Sequence, residues 1–178
     1  MSCGVNARRD GRCVYYRVRP SGMKPLLDWI AHYRAFWTEH IERLEQLLEK
    51  LDEAARAQTS AVPALEAVFR AHVAFVFAHP GVPRIIFHEL QQPADSPVKQ
   101  EVRALLQAYR QLLLNQFKRG MKSGELPTGL DPEAAATLFV GIVQGLVMQS
   151  MLTGKPGAMK AQGDGVFAIY LRGIQAAV

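Results

Sequence analysis

Cysteine is scarce in this chain: only Cys3 and Cys13 occur among 178 residues, and no CxxC pair is present. This scarcity excludes a disulfide framework and argues against a cysteine metal site. The N-terminus is polar and rich in arginine, so it lacks the apolar segment that a signal peptide requires. We therefore predict a protein of the reducing cytoplasm.

Catalytic and metal-binding patterns are missing as well. His88-Glu89 is followed by Gln92 at the position where a zinc-protease helix needs its second histidine. The spacing of His72, His79 and His88 does not place the three on a single helical face, and no acidic cluster accompanies them. We predict that the chain is not an enzyme and that it has no catalytic residue, no metal site and no cofactor.

Strand-forming sequence is confined to the beginning of the chain. The dipeptide Asp10-Gly11 precedes a β-rich run over residues 13–18, which predicts a β-hairpin over residues 5–18. After a predicted break at Pro20-Ser21-Gly22, Ala, Leu, Gln, Arg and Glu dominate the sequence, and this composition favours helices. The predicted fold class is all-α, preceded by a short hairpin.

The positive charge is concentrated in the same short segment. The net charge is +5, and residues 1–20 contribute five arginines and one aspartate, or +4 of it. A basic patch at one end indicates contact with an acidic partner such as DNA, although an ordinary solvated turn can have the same composition. The candidate DNA-binding residues are Arg8, Arg9, Arg12 and Arg17.

A long amphipathic helix is predicted after the hairpin, because apolar residues recur every three or four positions. Its apolar stripe consists of Leu26, Ile30, Tyr33, Trp37, Ile41, Leu44, Leu48 and Leu51. Either the rest of the chain covers this stripe, or a second copy covers it in a coiled-coil-like pairing. Further helices are predicted over residues 63–78, 84–90, 98–117, 132–152 and 163–177.

The helix that follows Asp131-Pro132 is unusual because no charged residue occurs between residues 134 and 152. That length is sufficient to cross a membrane, but Gln144, Gln149 and Ser150 oppose a lipid environment, so we predict no membrane span. A small protomer rarely covers such a helix on every side. We therefore predict a homodimer in which a second copy covers it.

From about residue 60 to residue 178, the chain resembles the ligand-binding and dimerisation domain of the TetR family of transcriptional regulators. The resemblance is carried, in order, by Phe75-Val76-Phe77-Ala78-His79-Pro80-Gly81-Val82-Pro83-Arg84, the helix over residues 102–120, Ser123-Gly124-Glu125-Leu126, Leu130-Asp131-Pro132-Glu133-Ala134-Ala135-Ala136, Gly141 and Gln144-Gly145. It implies a helical bundle that dimerises through its last two helices and holds a small hydrophobic effector among the earlier ones.

Two sets of site residues are expected from this resemblance. The expected ligand-binding residues are Phe69, His72, Phe75, Phe87, Leu105, Tyr109, Gln144 and Met148. Among them His72 interrupts an apolar stripe, and such a lone polar group can orient a mostly hydrophobic ligand. The expected dimer interface consists of Phe139, Gly141, Ile142, Gly145, Leu146, Gln149, Phe167, Tyr170 and Ile174.

Residues 5–51 resemble a different family, the ArsR-type winged-helix repressors. The basic hairpin, Leu26-Leu27-Asp28-Trp29 and the helix to Leu51 look like the wing and the final dimerisation helix of such a domain. This resemblance implies arginine contacts to phosphates with little sequence reading, and hence weak DNA binding by this chain alone. It divides the chain into a partial winged-helix domain, residues 1–58, and an effector-binding and dimerisation domain, residues 59–178. We expect that the chain begins inside that DNA reader, through a misplaced start codon or a real truncation.

Together these patterns predict the sensing and dimerising body of a transcriptional repressor with an incomplete DNA-binding head. Effector binding is expected to shift the N-terminal elements and so weaken DNA binding. The alternative is a headless interaction protein that forms heterodimers with an intact regulator and antagonises it.

Overall fold

The computed structural model describes residues 5–18, 20–93, 95–154 and 156–176. A hairpin of β1 (Val5–Asp10) and β2 (Cys13–Val18) precedes six helices: α1 (Pro20–Arg56), α2 (Ala61–Ala78), α3 (Gly81–Gln91), α4 (Pro97–Ser123), α5 (Pro132–Thr153) and α6 (Pro156–Gln175). The predicted all-α fold with a preceding hairpin is confirmed.

The chain divides into two compact units, Met1–His40 and Ile41–Val178. The predicted functional boundary lies instead between residues 58 and 59, after the end of α1, and stays a prediction.

The first unit contains the hairpin. Its strands pair antiparallel with Asp10 opposite Cys13, so Gly11 and Arg12 form a two-residue turn. Gly11 has a φ of +57° while no other described residue near it has a positive φ, which is the pattern of a turn with glycine in its first central position. The four candidate DNA-binding arginines are all exposed, namely Arg8, Arg9, Arg12 and Arg17. Their role in DNA binding stays a prediction.

Helix α1 is longer than expected, because it begins at Pro20. The predicted break at Pro20-Ser21-Gly22 is therefore wrong, since proline is tolerated in the first turn, where its missing N–H has no partner to lose. In the first unit several apolar side chains of α1 are exposed: Met23, Leu26, Leu27, Trp29, Ile30, Tyr33 and Phe36. In the second unit Leu44 and Leu51 are buried.

Helix α2 lies at the centre of the second unit and packs against α4, α5 and α6. Its residues Leu65 and Val68 are fully buried. Phe69 joins three aromatic side chains of α5 and α6, with ring centroids between 4.9 and 6.4 Å apart: Phe139, Phe167 and Tyr170. This aromatic cluster fixes the mutual positions of the three helices.

Of the five later helices, all but α5 begin earlier than the sequence predicted. Helix α2 begins at Ala61 because the Glu125 carboxylate, from the loop after α4, accepts hydrogen bonds from the backbone N–H groups of Ala61 and Val62, both at 3.0 Å. We call this contact the Glu125 latch. Helix α6 begins at Pro156, well before residue 163, and Met159 in this added turn is buried. Residue 177, the predicted end of α6, lies outside the described residues.

Candidate effector site and outer groove

A cavity in the second unit is walled by residues from α1, α2, α3, α4 and α5. Its volume is about 110 Å³, several times the roughly 10–15 Å³ that a single water molecule needs. It is lined by Leu44, Leu47, Leu48, Leu51, His72, Phe75, Val76, Val82, Pro83, Ile86, Phe87, Leu90, Val102, Leu105, Leu106, Tyr109, Val140, Val143, Gln144 and Val147. None of the residues described in this wall is Asp, Glu, Lys or Arg. The cavity therefore suits an apolar molecule or the apolar part of one.

The structure brings most of the predicted ligand-binding residues together in this wall. They are His72, Phe75, Phe87, Leu105, Tyr109 and Gln144. The other two do not line it: Phe69 belongs to the aromatic cluster, and Met148 is 47% exposed. Met148 lies one helical turn after Gln144, so its spacing alone did not distinguish it from a lining residue. The binding role of all these residues stays a prediction.

The polar centre of the cavity is a hydrogen-bonded pair. His72 Nδ1 lies 2.9 Å from Tyr109 Oη, and the two rings meet edge to face with centroids 5.2 Å apart. His72 was expected to be a lone polar group, so Tyr109 is a partner that the sequence did not reveal. Burial lowers the pKa of His72 to about 4 and raises the pKa of the Tyr109 hydroxyl far above its usual range. Both groups are therefore uncharged at pH 7.

Sequence reasoning missed two parts of the wall. One is the row of leucines on α1, Leu44, Leu47, Leu48 and Leu51; the other is the apolar side of α3, Val82, Pro83, Ile86 and Leu90. The periodic stripe on α1 was visible in the sequence, but a stripe that faces a cavity looks the same as one that faces a packed core. Only the arrangement of helices distinguishes the two.

The connection between α3 and α4 holds α3 against the cavity. Ser96 Oγ donates to Glu89 Oε1 at 2.5 Å and also accepts from the backbone N–H of Lys99 at 3.0 Å. Lys99 Nζ donates to the carbonyl oxygen of Gln92 at 2.5 Å. Glu89 and Lys99 are both buried, so this turn forms a compact polar anchor beside an apolar cavity.

The predicted dimer interface separates into two groups in the structure. Gly141, Gly145 and Gln149 are exposed and Ile142 is half-buried, so these residues are available to a partner. The other five are buried within one chain, namely Phe139, Leu146, Phe167, Tyr170 and Ile174. Phe139, Leu146 and Phe167 are core residues, which corrects their assignment to the interface. Tyr170 and Ile174 also line an apolar groove between α5 and α6, so their place in an interface stays a prediction.

An apolar groove lies between α5 and α6 on their outer side, and we call it the outer groove. It is lined by Leu130, Asp131, Ala134, Ala135, Leu138, Ile142, Val166, Ile169, Tyr170, Gly173 and Ile174. Leu138 is 54% exposed and Ile169 is 64% exposed, and the sequence prediction missed both.

Of the described helices, α2 and α5 are long and apolar enough to span a membrane by length and composition, with 44% and 33% of their most apolar stretches buried. Much of α5 is therefore uncovered in a single chain.

Comparison with known proteins shows similarity to one domain family and to a named regulator protein. Residues 89–163 match the family model of the tetracyclin repressor-like C-terminal domain. A fatty acid metabolism regulator protein of Bacillus subtilis (strain 168) is 22% identical over 133 residues, which cover 75% of this chain and 68% of that protein. The segment matched by the family model, residues 89–163, lies inside the region from about residue 60 onward that resembles the TetR ligand-binding and dimerisation domain.

Solved structures share the same fold. The transcriptional regulator FadR from Bacillus subtilis, in complex with stearoyl-CoA, has a TM-score of 0.67 and 21% identity over 78% of this chain and 74% of that one. The fatty acid degradation regulator FadR from Bacillus halodurans has a TM-score of 0.66 and 17% identity over 76% and 72% of the two chains. The resemblance of residues 5–51 to winged-helix repressors gains no support from these comparisons.

Proposed function

We propose that this chain is the effector-sensing and dimerising part of a cytoplasmic transcriptional regulator, and that its cavity binds an acyl chain. The observation that carries the proposal is the apolar cavity, lined without charged side chains, in a chain whose residues 89–163 match the tetracyclin repressor-like C-terminal domain. The relative of the same fold that was solved with stearoyl-CoA supports an acyl ligand. The named relatives are regulators, which supports a role in binding instead of catalysis.

The cavity wall explains how a ligand would affect the rest of the chain. Leu44, Leu48 and Leu51 belong to the second half of α1, and the same continuous helix begins at Pro20. A ligand that spreads or draws in these leucines would move the part of α1 that lies in the second unit. Coupling of this kind between two sites typically amounts to about 1–3 kcal/mol, which is a five- to 150-fold change in affinity for DNA.

The proposed dimer uses the outer groove. Leu138 and Ile169 project from neighbouring helices with Ile142 and Val166 beside them, and an apolar surface of this kind is stabilised when a second copy removes it from water. Gly141 and Gly145 meet no atom within 4 Å of an added Cβ, so they leave room for a partner helix to approach closely. A second copy of this chain therefore fits the groove.

The proposed contribution of this chain to DNA binding is weak and nonspecific. Arg8, Arg12 and Arg17 are exposed on the hairpin, and a few arginine contacts to phosphates supply salt-dependent affinity without reading bases. Mixed dimers with a full-length relative, detected by sizing chromatography, would instead favour the alternative of a headless antagonist.

A variant that fills the cavity tests the proposal. Leu105→Trp places a large ring in the wall between α3 and α5, and we expect at least a tenfold loss of affinity for stearoyl-CoA in isothermal titration calorimetry, because the ligand and the ring compete for one space. The dimer should be unaffected. Ala108→Trp is the matched control, since Ala108 is exposed on the same helix. Equal affinities of the two variants and the original protein would contradict binding in this cavity.

A further inference from the structure

Three side chains in the described wall of the cavity can form hydrogen bonds. Two of them, His72 and Tyr109, are bonded to each other. His72 lies on α2 and Tyr109 on α4, while Gln144 projects from α5. Each of the other lining residues is aliphatic, aromatic or proline. A ligand that carries a single polar atom would therefore meet it at this pair or at Gln144.

The His72–Tyr109 pair has hydrogen-bonding capacity left over. If the Tyr109 hydroxyl donates to Nδ1, then Nε2 of the neutral ring carries a proton; if Nδ1 donates, then the hydroxyl proton is free. His72 is only half-buried although helices surround it, because part of the ring faces the cavity. Each tautomer thus offers one donor from the pair to an acceptor atom of a ligand.

We infer that the His72–Tyr109 pair selects a ligand with an uncharged oxygen, such as an ester or thioester carbonyl or a hydroxyl, over one with a carboxylate. This inference rests on the proposed acyl-binding function of the same cavity. An uncharged oxygen gains one hydrogen bond there and loses little on leaving water. A carboxylate would lose its hydration in a wall without a cation, and that loss is not compensated.

Four probes with the same twelve-carbon chain test the inference: dodecane, methyl dodecanoate, 1-dodecanol and dodecanoate. Their affinities are measured at pH 7.5 by displacement of N-phenyl-1-naphthylamine fluorescence from the full chain. We expect the ester, the alcohol or both to bind about three- to tenfold more tightly than dodecane, as one hydrogen bond would give. Tighter binding of methyl dodecanoate than of 1-dodecanol would identify the preferred ligand oxygen as a carbonyl, and the reverse order would identify it as a hydroxyl. Dodecanoate should bind at least about tenfold more weakly than the ester.

Substitutions locate the donor. The double variant His72→Leu with Tyr109→Phe should lose the preference for the oxygenated probes while it still binds dodecane. Tyr170→Phe is the matched control, because it removes a buried tyrosine hydroxyl that donates to the Ala135 carbonyl oxygen at 2.9 Å, outside the cavity. It should lower the melting temperature and leave the preference intact.

Several results would overturn the inference. They are equal affinity of the original protein for dodecane and both oxygenated probes, binding of dodecanoate as tight as that of the ester, and a preference that survives the double variant. Loss of the preference in Gln144→Leu alone would assign the contact to that side chain instead. If none of the four probes displaces the dye, the proposed acyl-binding function itself fails.

Discussion

The cavity and the outer groove are both apolar and both border α5. They differ in whether their polar side chains still have a hydrogen-bond donor available. Val143 and Val147 face the cavity, whereas Leu138 and Ile142 face the groove. The cavity is lined by residues of five helices and contains a polar pair with a donor to spare. Such a space fits a small molecule that an oxygen atom orients.

The outer groove has polar residues too, but the chain itself occupies them. Asp131 accepts from the backbone N–H groups of Glu133 and Ala134 and so caps α5, and the Tyr170 hydroxyl donates to the Ala135 carbonyl oxygen. What the groove offers to a partner is mainly apolar surface. One helix thus presents a selective small-molecule wall on one side and a surface for a second protein on the other.

The largest expected effect comes from placing negative charge in the outer groove while the cavity is left unchanged. Leu138→Glu combined with Ile169→Glu would place four carboxylates in the interface of a dimer, and we expect the dimer dissociation constant to rise at least about a thousandfold, or about 4 kcal/mol. Sedimentation velocity across a concentration series measures this change. Affinity for methyl dodecanoate should stay within about twofold.

Ala108→Glu is the control for that experiment, because it adds a carboxylate at an exposed position of α4. It should leave the dimer intact. A chain that is already monomeric before any substitution, or a double variant that dimerises normally, would remove the outer groove from the interface.

Acid should affect the cavity through His72. The folded-state pKa of His72 is about 4, below the ordinary value near 6.5. As the pH falls below about 6.5 the unfolded chain takes up a proton that the folded chain accepts only near pH 4, so stability is lost across this window by up to about 3 kcal/mol. Urea unfolding at pH 7.5, 6.0 and 5.0 should show a smaller loss in His72→Leu than in the original protein. Parallel curves for the two proteins would contradict a neutral, enclosed His72.

Gly120 tests the packing that supports both regions. A Cβ at this position would lie 2.7 Å from Leu126 Cδ1 and 3.1 Å from Ala61 Cβ, so Gly120→Ala forces the start of α2 and the loop after α4 apart. We expect a loss of about 1–3 kcal/mol in the free energy of unfolding, although alanine favours helices. Gly157→Ala meets no atom within 4 Å and should change stability by less than about 1 kcal/mol. Similar stabilities of the two variants would show that the contact at Gly120 relaxes.

Local signals account for most of what the sequence predicted correctly. Asp131 followed by proline and glutamate predicted the start of α5, and its side chain does cap that helix. The turn at Gly11 and the left-handed Gly124 after α4 were visible for the same reason, since both depend on residues next to each other in the chain. Six of the eight ligand-binding residues expected from the family resemblance line one cavity.

What the sequence could not reveal depends on residues far apart in it. Helix α2 begins at Ala61 because of a carboxylate 64 residues away, and no pattern near Ala61 indicates it. The uncharged character of α5 hid which face is inward, so core residues such as Phe139 were assigned to the interface while Leu138 was missed. A helix without charged residues and with few polar ones carries little periodic signal.

The Glu125 latch gives the smallest expected effect and tests whether the two regions are independent. The backbone N–H groups of Val62 and Ala61 lower the pKa of Glu125, with smaller contributions from Ser123 and Arg119. Since the folded-state pKa is lowered, the stabilisation is present above the ordinary glutamate pKa near 4.3 and is lost as the pH falls through the folded-state value. Glu125→Gln should therefore cost about 1 kcal/mol at pH 7 and progressively less as the pH is lowered towards 3.

Because the latch lies outside both linings, Glu125→Gln should leave the dimer constant and the preference for the ester over dodecane within about twofold of their original values. Chemical denaturation at the two pH values measures the stability, and the binding and sedimentation assays above measure the rest. A large change in only one region would mean that the latch sets the position of that wall. A large change in both would mean that α2 transmits strain between the cavity and the groove, and the two would then be one coupled site.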